Sequence, residues 1–120
     1  MTQYVDGFLL PIAADKLEDY KKLATKAAEV WIDHGALAYW ETVGDDLDGE
    51  ETRSFKICAD AGPNEVVIFA WVVYPSREVR DRVMAAVMED PRLRENAEMP
   101  FDMKRMAHGG FKPLVVAEKK

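Results

Sequence analysis

Two stretches of the chain are apolar on both of their alternating faces, and the rest of the pattern arranges itself around them. In Gln3 to Ile12, Tyr4, Phe8 and Leu10 share one face with Asp6, while Val5, Gly7 and Leu9 share the other. Val66 to Tyr74 is β-branched and aromatic throughout. A strand that is apolar on both sides is covered on both sides, so both are expected to lie centrally in a sheet. Gly7 suggests a close approach or a bulge, and Pro11, which lacks an N–H, is expected to mark the first strand's exit.

Between them the period changes. Asp15 and Glu18 have the spacing of a capping box, and a helix is predicted from there to about His34. Leu17, Tyr20, Ala24, Ala27 and Trp31 form its apolar stripe, and Gly35 suits the position just past its end. Ala36 to Val43 alternates as a second strand. Gly44 to Arg53 is acidic and turn-rich, which predicts a solvated loop. Ser54 to Ala59 fits either a short helix or an edge strand. Gly62-Pro63-Asn64 is a turn.

After the second two-sided strand, Ser76 is a suitable N-cap, and Val79, Val83, Ala86 and Val87 make a second helical stripe. Asp90-Pro91 predicts a short third helix through about Asn96. Met106 to Val116 is predicted as a last strand, bulged at Gly109-Gly110. The order is strand, helix, strand, strand, helix, strand: a ferredoxin-like α+β plan with an antiparallel sheet, in one domain spanning residues 1–120. Two helices cannot hide all the apolar surface of such a sheet. A second copy is the economical cover, so a homodimer through the sheet face is expected.

Charge narrows the partners. A net charge of −6 opposes nucleic acid and anionic membrane surfaces. The longest apolar run, Val66 to Tyr74, is too short to span a bilayer. With no secretory pattern at the N-terminus and a single cysteine, Cys58, a cytoplasmic location is expected.

Candidate chemistry is sparse. There is no glycine-rich phosphate loop and no serine-nucleophile motif; the only serines are Ser54 and Ser76. The two histidines, His34 and His108, form no metal-ligand spacing, so no metal or cofactor is expected. His34 ends a helix, where it suits the dipole, or serves as a pocket base. His108 stands beside two glycines, which read as a bulge or as a ligand site. Asp6 sits in a strand expected to be central, so it must be paired, with Arg80, Lys104 or Arg105 available. A functional carboxylate is the sharper reading. Trp31, Trp40 and Trp71 with Tyr20, Tyr39 and Tyr74 make either ordinary core or a pocket for a flat small molecule. The catalytic candidates are therefore Asp6, His108 and His34. The ligand-binding candidates are Tyr4, Trp31, Trp71, Tyr74, Arg80 and Arg105. A mixed stretch, Glu98 to Phe111, raises the question of whether Asp102, Arg105 and His108 face one cavity with Asp6.

Several motifs carry a resemblance. Tyr4-Val-Asp-Gly-Phe8, Gly35-Ala-Leu37, Trp71-Val-Val-Tyr-Pro-Ser76 with Arg80-Asp81, Asp90-Pro-Arg92, Met99-Pro-Phe-Asp102, Lys104-Arg-Met106 and Gly109-Gly-Phe111 occur in order along nearly the whole chain, which is similar to the DUF1428 family of small bacterial proteins. The resemblance implies a dimeric α/β-barrel, in which two ferredoxin-like sheets close face to face. It brings no activity and no catalytic residues. Met103 and His108 depart from the glycine and the aromatic residue that the family pattern implies there. Three functions follow as expectations: a dimer binding a small molecule between sheet and helices, an enzyme akin to cofactor-independent monooxygenases, or a structural homodimer without a ligand site.

Overall fold

The structure is a computed structural model that describes residues 3–94 and 99–120. Its elements are β1 (Tyr4–Ala13), α1 (Leu17–His34), β2 (Ala38–Val43), α2 (Phe55–Cys58), β3 (Glu65–Tyr74), α3 (Arg77–Glu89), α4 (Pro91–Arg94) and β4 (Ala107–Phe111). The strands form one antiparallel sheet in the order β2-β3-β1-β4. The two doubly apolar strands, β1 and β3, are thus the central pair, running side by side from Tyr4↔Tyr74 to Ala13↔Glu65.

Register sorts the sheet into two unlike faces. Tyr4, Asp6, Phe8, Leu10 and Ile12 align across β1 and β3 with Tyr74, Val72, Ala70, Ile68 and Val66. This face packs beneath the helices in two clusters. One gathers Leu10, Ile12, Ile68 and Ala70 around Tyr20 and Ala24 of α1. The other joins Val72 and Tyr74 to Val30 of α1 and to Val83 and Val87 of α3. Gly35 ends α1 at φ 125°, a conformation that other residues rarely adopt, and Ser76 caps α3 by accepting from the Val79 N–H at 3.2 Å.

The opposite face carries Val5, Gly7, Leu9, Phe69, Trp71, Val73 and Trp40. Trp40 and Trp71 stack at 5.4 Å, and Phe69 lies 5.5 Å from Trp71 and 5.6 Å from Phe55 of α2. Trp40 is 56% exposed, Phe69 44% and Phe111 60%. Beyond β4, Leu114, Val115 and Val116 are also exposed.

Several expectations need correction. The capping box does not form: a 3-10 turn over Ala14–Lys16 precedes α1, and no side chain caps either segment. Pro11 does not end β1, which continues to Ala13. β4 stops opposite Leu9, so at Pro11 the strand has β3 as its only neighbour, the edge situation in which a strand proline is tolerated. β4 itself is shorter than predicted, because Pro113 has no N–H with which to continue a ladder. Gly109 and Gly110 form no bulge; they pair regularly with Gly7 and Asp6. Residues 54–59 contain a one-turn helix, with Ser54 accepting from the Lys56 N–H at 3.0 Å. The third helix is described as far as Arg94, and its predicted end near Asn96 lies outside the described residues. No helix among the described residues is long and apolar enough to cross a membrane.

Candidate functional site

Two carboxylates face the helices from within the sheet, and they differ in almost every other respect. Asp6, in β1, is fully buried. Arg80 of α3 reaches it with Nη2 at 2.9 Å from Oδ1 and Nε at 3.1 Å from both oxygens. The Tyr74 hydroxyl donates to Oδ2 at 2.8 Å and itself accepts from Trp31 Nε1 at 3.0 Å. His108 Nε2 lies 3.2 Å from Oδ1, its ring stacked 4.6 Å from Phe8. The Arg80 guanidinium also rests 5.3 Å over the Tyr4 ring. Gly110 makes this possible, since a Cβ there would stand 2.7 Å from the Tyr4 ring and 2.9 Å from Arg80 Nη2. Burial, then the bond to Asp6, pushes the Tyr74 hydroxyl far above its ordinary pKa, so it stays a donor. This carboxylate is thus paired and hydrogen-bonded on both oxygens, as burial of a charge requires.

Six sequence candidates therefore meet in one network: Asp6, His108, Tyr4, Trp31, Tyr74 and Arg80. The other three do not join it. His34 bonds Asp90 at 2.8 Å across the end of α1, and Arg92 grips the same carboxylate at 2.8 Å. Arg92, then His34, holds Asp90 well below the usual carboxylate range. Arg105 pairs with Glu65 at 2.7 Å and with the Asp60 carbonyl at 2.6 Å. Trp71 is on the opposite face of the sheet, stacked on Trp40. Asp102, Arg105 and His108 thus do not converge on one cavity: Asp102 caps a short turn by accepting from the Lys104 N–H, and of the three only His108 reaches Asp6. Lys104 is not among Asp6's partners either.

The second carboxylate is Glu41 of β2, which sequence reasoning treated only as a strand position. The Tyr20 hydroxyl donates to Oε1 and the Tyr39 hydroxyl to Oε2, both at 2.6 Å. Burial first, and Glu41's charge second, raise both tyrosine pKa values far above 10.0. The two phenols therefore stay protonated and donating. The group borders a cleft of about 480 Å³ between α1 and β2. Leu17, Ala24 and Ala28 give its helix wall, and Val43 and Ile68 its sheet wall. Glu18 and Lys21 also line it. The sequence signal was the pair Tyr39-x-Glu41, two residues apart and so on one face of a strand, opposite the Tyr20 stripe. The six aromatic candidates do not line one surface. Tyr20 and Tyr39 line the cleft, with Trp31 5.6 Å behind Tyr39, whereas Trp40 and Trp71 belong to the open face. Among the described residues no group of three or more His, Cys, Asp or Glu is placed to hold a metal ion.

Comparison with known proteins agrees with this architecture. A family model described as a protein of unknown function (DUF1428) matches residues 3–103. The uncharacterized protein YbaA of Escherichia coli K12 is 42% identical over 114 residues, which covers 94% of this chain and 97% of YbaA. Among solved structures, SnoaB, a cofactor-independent oxygenase from Streptomyces nogalater, is similar with a TM-score of 0.56 at 13% identity, covering 99% of this chain and 100% of SnoaB. An uncharacterized NIPSNAP-like domain protein from Burkholderia xenovorans is similar with a TM-score of 0.57 at 16% identity, covering 98% of this chain and 90% of that one. At such identities the two structures speak for the fold alone, a ferredoxin-like α+β plan with helices over an antiparallel sheet.

Proposed function

The chain belongs to the DUF1428 family, and from that premise we propose that it works as a homodimer, closed through its open sheet face, that binds a small organic molecule between α1 and β2. The cleft carries the ligand half of this reading. Its volume of about 480 Å³ falls within the range of small-molecule sites, roughly 300–1,000 Å³. Its walls are largely apolar, with one carboxylate held in a fixed orientation, which is the composition such sites use.

The dimer half rests on the aromatic patch of Trp40, Phe69, Trp71 and Phe111. Covering the exposed halves of the Trp40, Phe69 and Phe111 rings removes roughly 400 Å² from water, a gross gain of about 10 kcal/mol before the costs of association. Sedimentation equilibrium at micromolar concentration is expected to give twice the chain mass of 13.6 kDa. Trp40→Glu, on the exposed edge strand, is expected to shift the chain toward monomer with its far-ultraviolet circular dichroism retained. A wild-type monomer would remove this half of the proposal.

For the ligand half, a melting-temperature screen against a panel of small organic molecules is expected to give saturable stabilisation. That response should disappear when Ala28→Trp, at a half-buried position on the helix wall, fills the cleft. A panel without a single binder would leave a structural homodimer as the better description. Asp6 and its partners hold the helices to the sheet in this account. SnoaB's oxygenase activity stays with SnoaB.

A further inference from the structure

Among the described residues four carboxylates are not exposed: Asp6, Glu41, Glu65 and Asp90. Three of them are gripped by an arginine. Arg80 holds Asp6, Arg105 holds Glu65 and Arg92 holds Asp90, each with a nitrogen within 3 Å. Glu41 is the exception. It has two neutral phenol donors and forms no ion pair among the described residues. A half-buried carboxylate without a cation is an electrostatic site left incomplete.

We propose that the cleft takes an organic ammonium cation on an aromatic or apolar body, with Glu41 as its counter-ion. This rests on the reading of the cleft as a ligand site and names the class of ligand. Each Glu41 oxygen accepts one bond from a tyrosine and retains a second acceptor position for an N–H. The phenols fix the carboxylate's orientation, and they do so as neutral groups, so its negative charge remains for the ligand. Tyr20 and Tyr39 line the cleft beside the carboxylate, and the aliphatic walls accommodate the ligand's body. The charged groups facing the cleft are Glu18, Lys21 and Glu41, a net of −1. Lys21 lies on the exposed side of α1 and its ammonium is not paired with Glu41.

Three probes of one shape test this by isothermal titration: 2-phenylethylammonium chloride, 2-phenylethanol and sodium phenylacetate. The ammonium is expected to bind at least about tenfold more tightly than the alcohol, and the carboxylate not at all. Glu41→Gln keeps an acceptor for the phenols and should abolish the preference for the ammonium over the alcohol. Tyr39→Phe keeps ring and charge and should retain that preference. If the alcohol or the carboxylate binds as tightly as the ammonium, or Glu41→Gln leaves the ammonium's affinity unchanged, the cation assignment is overturned while the cleft remains a ligand site. If none of the three binds and the wider panel is also silent, both the assignment and the ligand reading fail. If Lys21 serves as Glu41's counter-ion in solution, its ammonium resonances will respond to Glu41→Gln and the ammonium probe will not bind, which also overturns the assignment.

Discussion

Asp6 and Glu41 lie on the same face of the same sheet, beneath the same layer of helices, and only one of them faces a cleft. Asp6 sits on a central strand and is enclosed by Arg80, Tyr74, His108 and the rings of Tyr4 and Phe8. Glu41 sits on the edge strand, where the sheet ends and α1 stands over an opening of about 480 Å³. Position across the sheet decides the difference. A carboxylate in the middle must be neutralised by the chain itself, whereas one at the edge can leave that to a ligand. The residue most conspicuous in sequence is thus a structural tie, and the inconspicuous one borders the candidate site.

The sharpest way to break this comparison is to perturb each carboxylate in turn. Arg80→Met leaves a fully buried carboxylate without its ion pair and should cost about 3–5 kcal/mol in urea denaturation. A loss below about 1 kcal/mol would mean that Asp6 is not the tie described here. Gly110→Ala acts on the same network by crowding Tyr4 and Arg80, with an expected loss of about 1–3 kcal/mol. Glu41→Gln should cost less than about 1 kcal/mol, because the amide oxygen still accepts from a phenol and no ion pair is lost. A larger cost would make Glu41 a structural tie as well.

The smallest effect concerns a third carboxylate and appears only in acid. Hydrogen bonds from Arg105, then from the Gly62 N–H, hold Glu65 down to about 2 from an ordinary 4.5. The unfolded chain takes up this proton near 4.5 and the folded chain only near 2, so the pair's contribution is intact above 4.5 and is lost as pH falls through about 2. Urea midpoints measured down this range should fall less steeply in Glu65→Gln than in wild type.

The fold was legible because its strongest signals were periodic. The double apolar alternation of β1 and β3 announced a central pair, and the Leu17–Trp31 stripe announced α1. What periodicity could not register was tertiary competition. Asp15 had the spacing of a cap, yet Ala14 is tied by its N–H to the Asn64 carbonyl and the chain enters α1 through a 3-10 turn instead. Gly110 read as a bulge because sequence carries no sign that Tyr4 and Arg80 need the space above it. The candidate site was only half legible. Asp6 with Arg80 follows from the need to pair a buried charge. Glu41 is distinguished by the cation it lacks, and that becomes visible only when every other sheltered carboxylate is seen with its arginine.

The contrast between the two carboxylates is tested most directly by mapping amide chemical shifts in labelled protein titrated with 2-phenylethylammonium. Saturable changes are expected along one patch, at Tyr20, Ala24 and Ala28 of α1 and at Tyr39 to Val43 of β2, with Asp6, His108 and Gly110 unmoved. Changes centred on Asp6 and β4, or none at concentrations that saturate binding elsewhere in the panel, would contradict it.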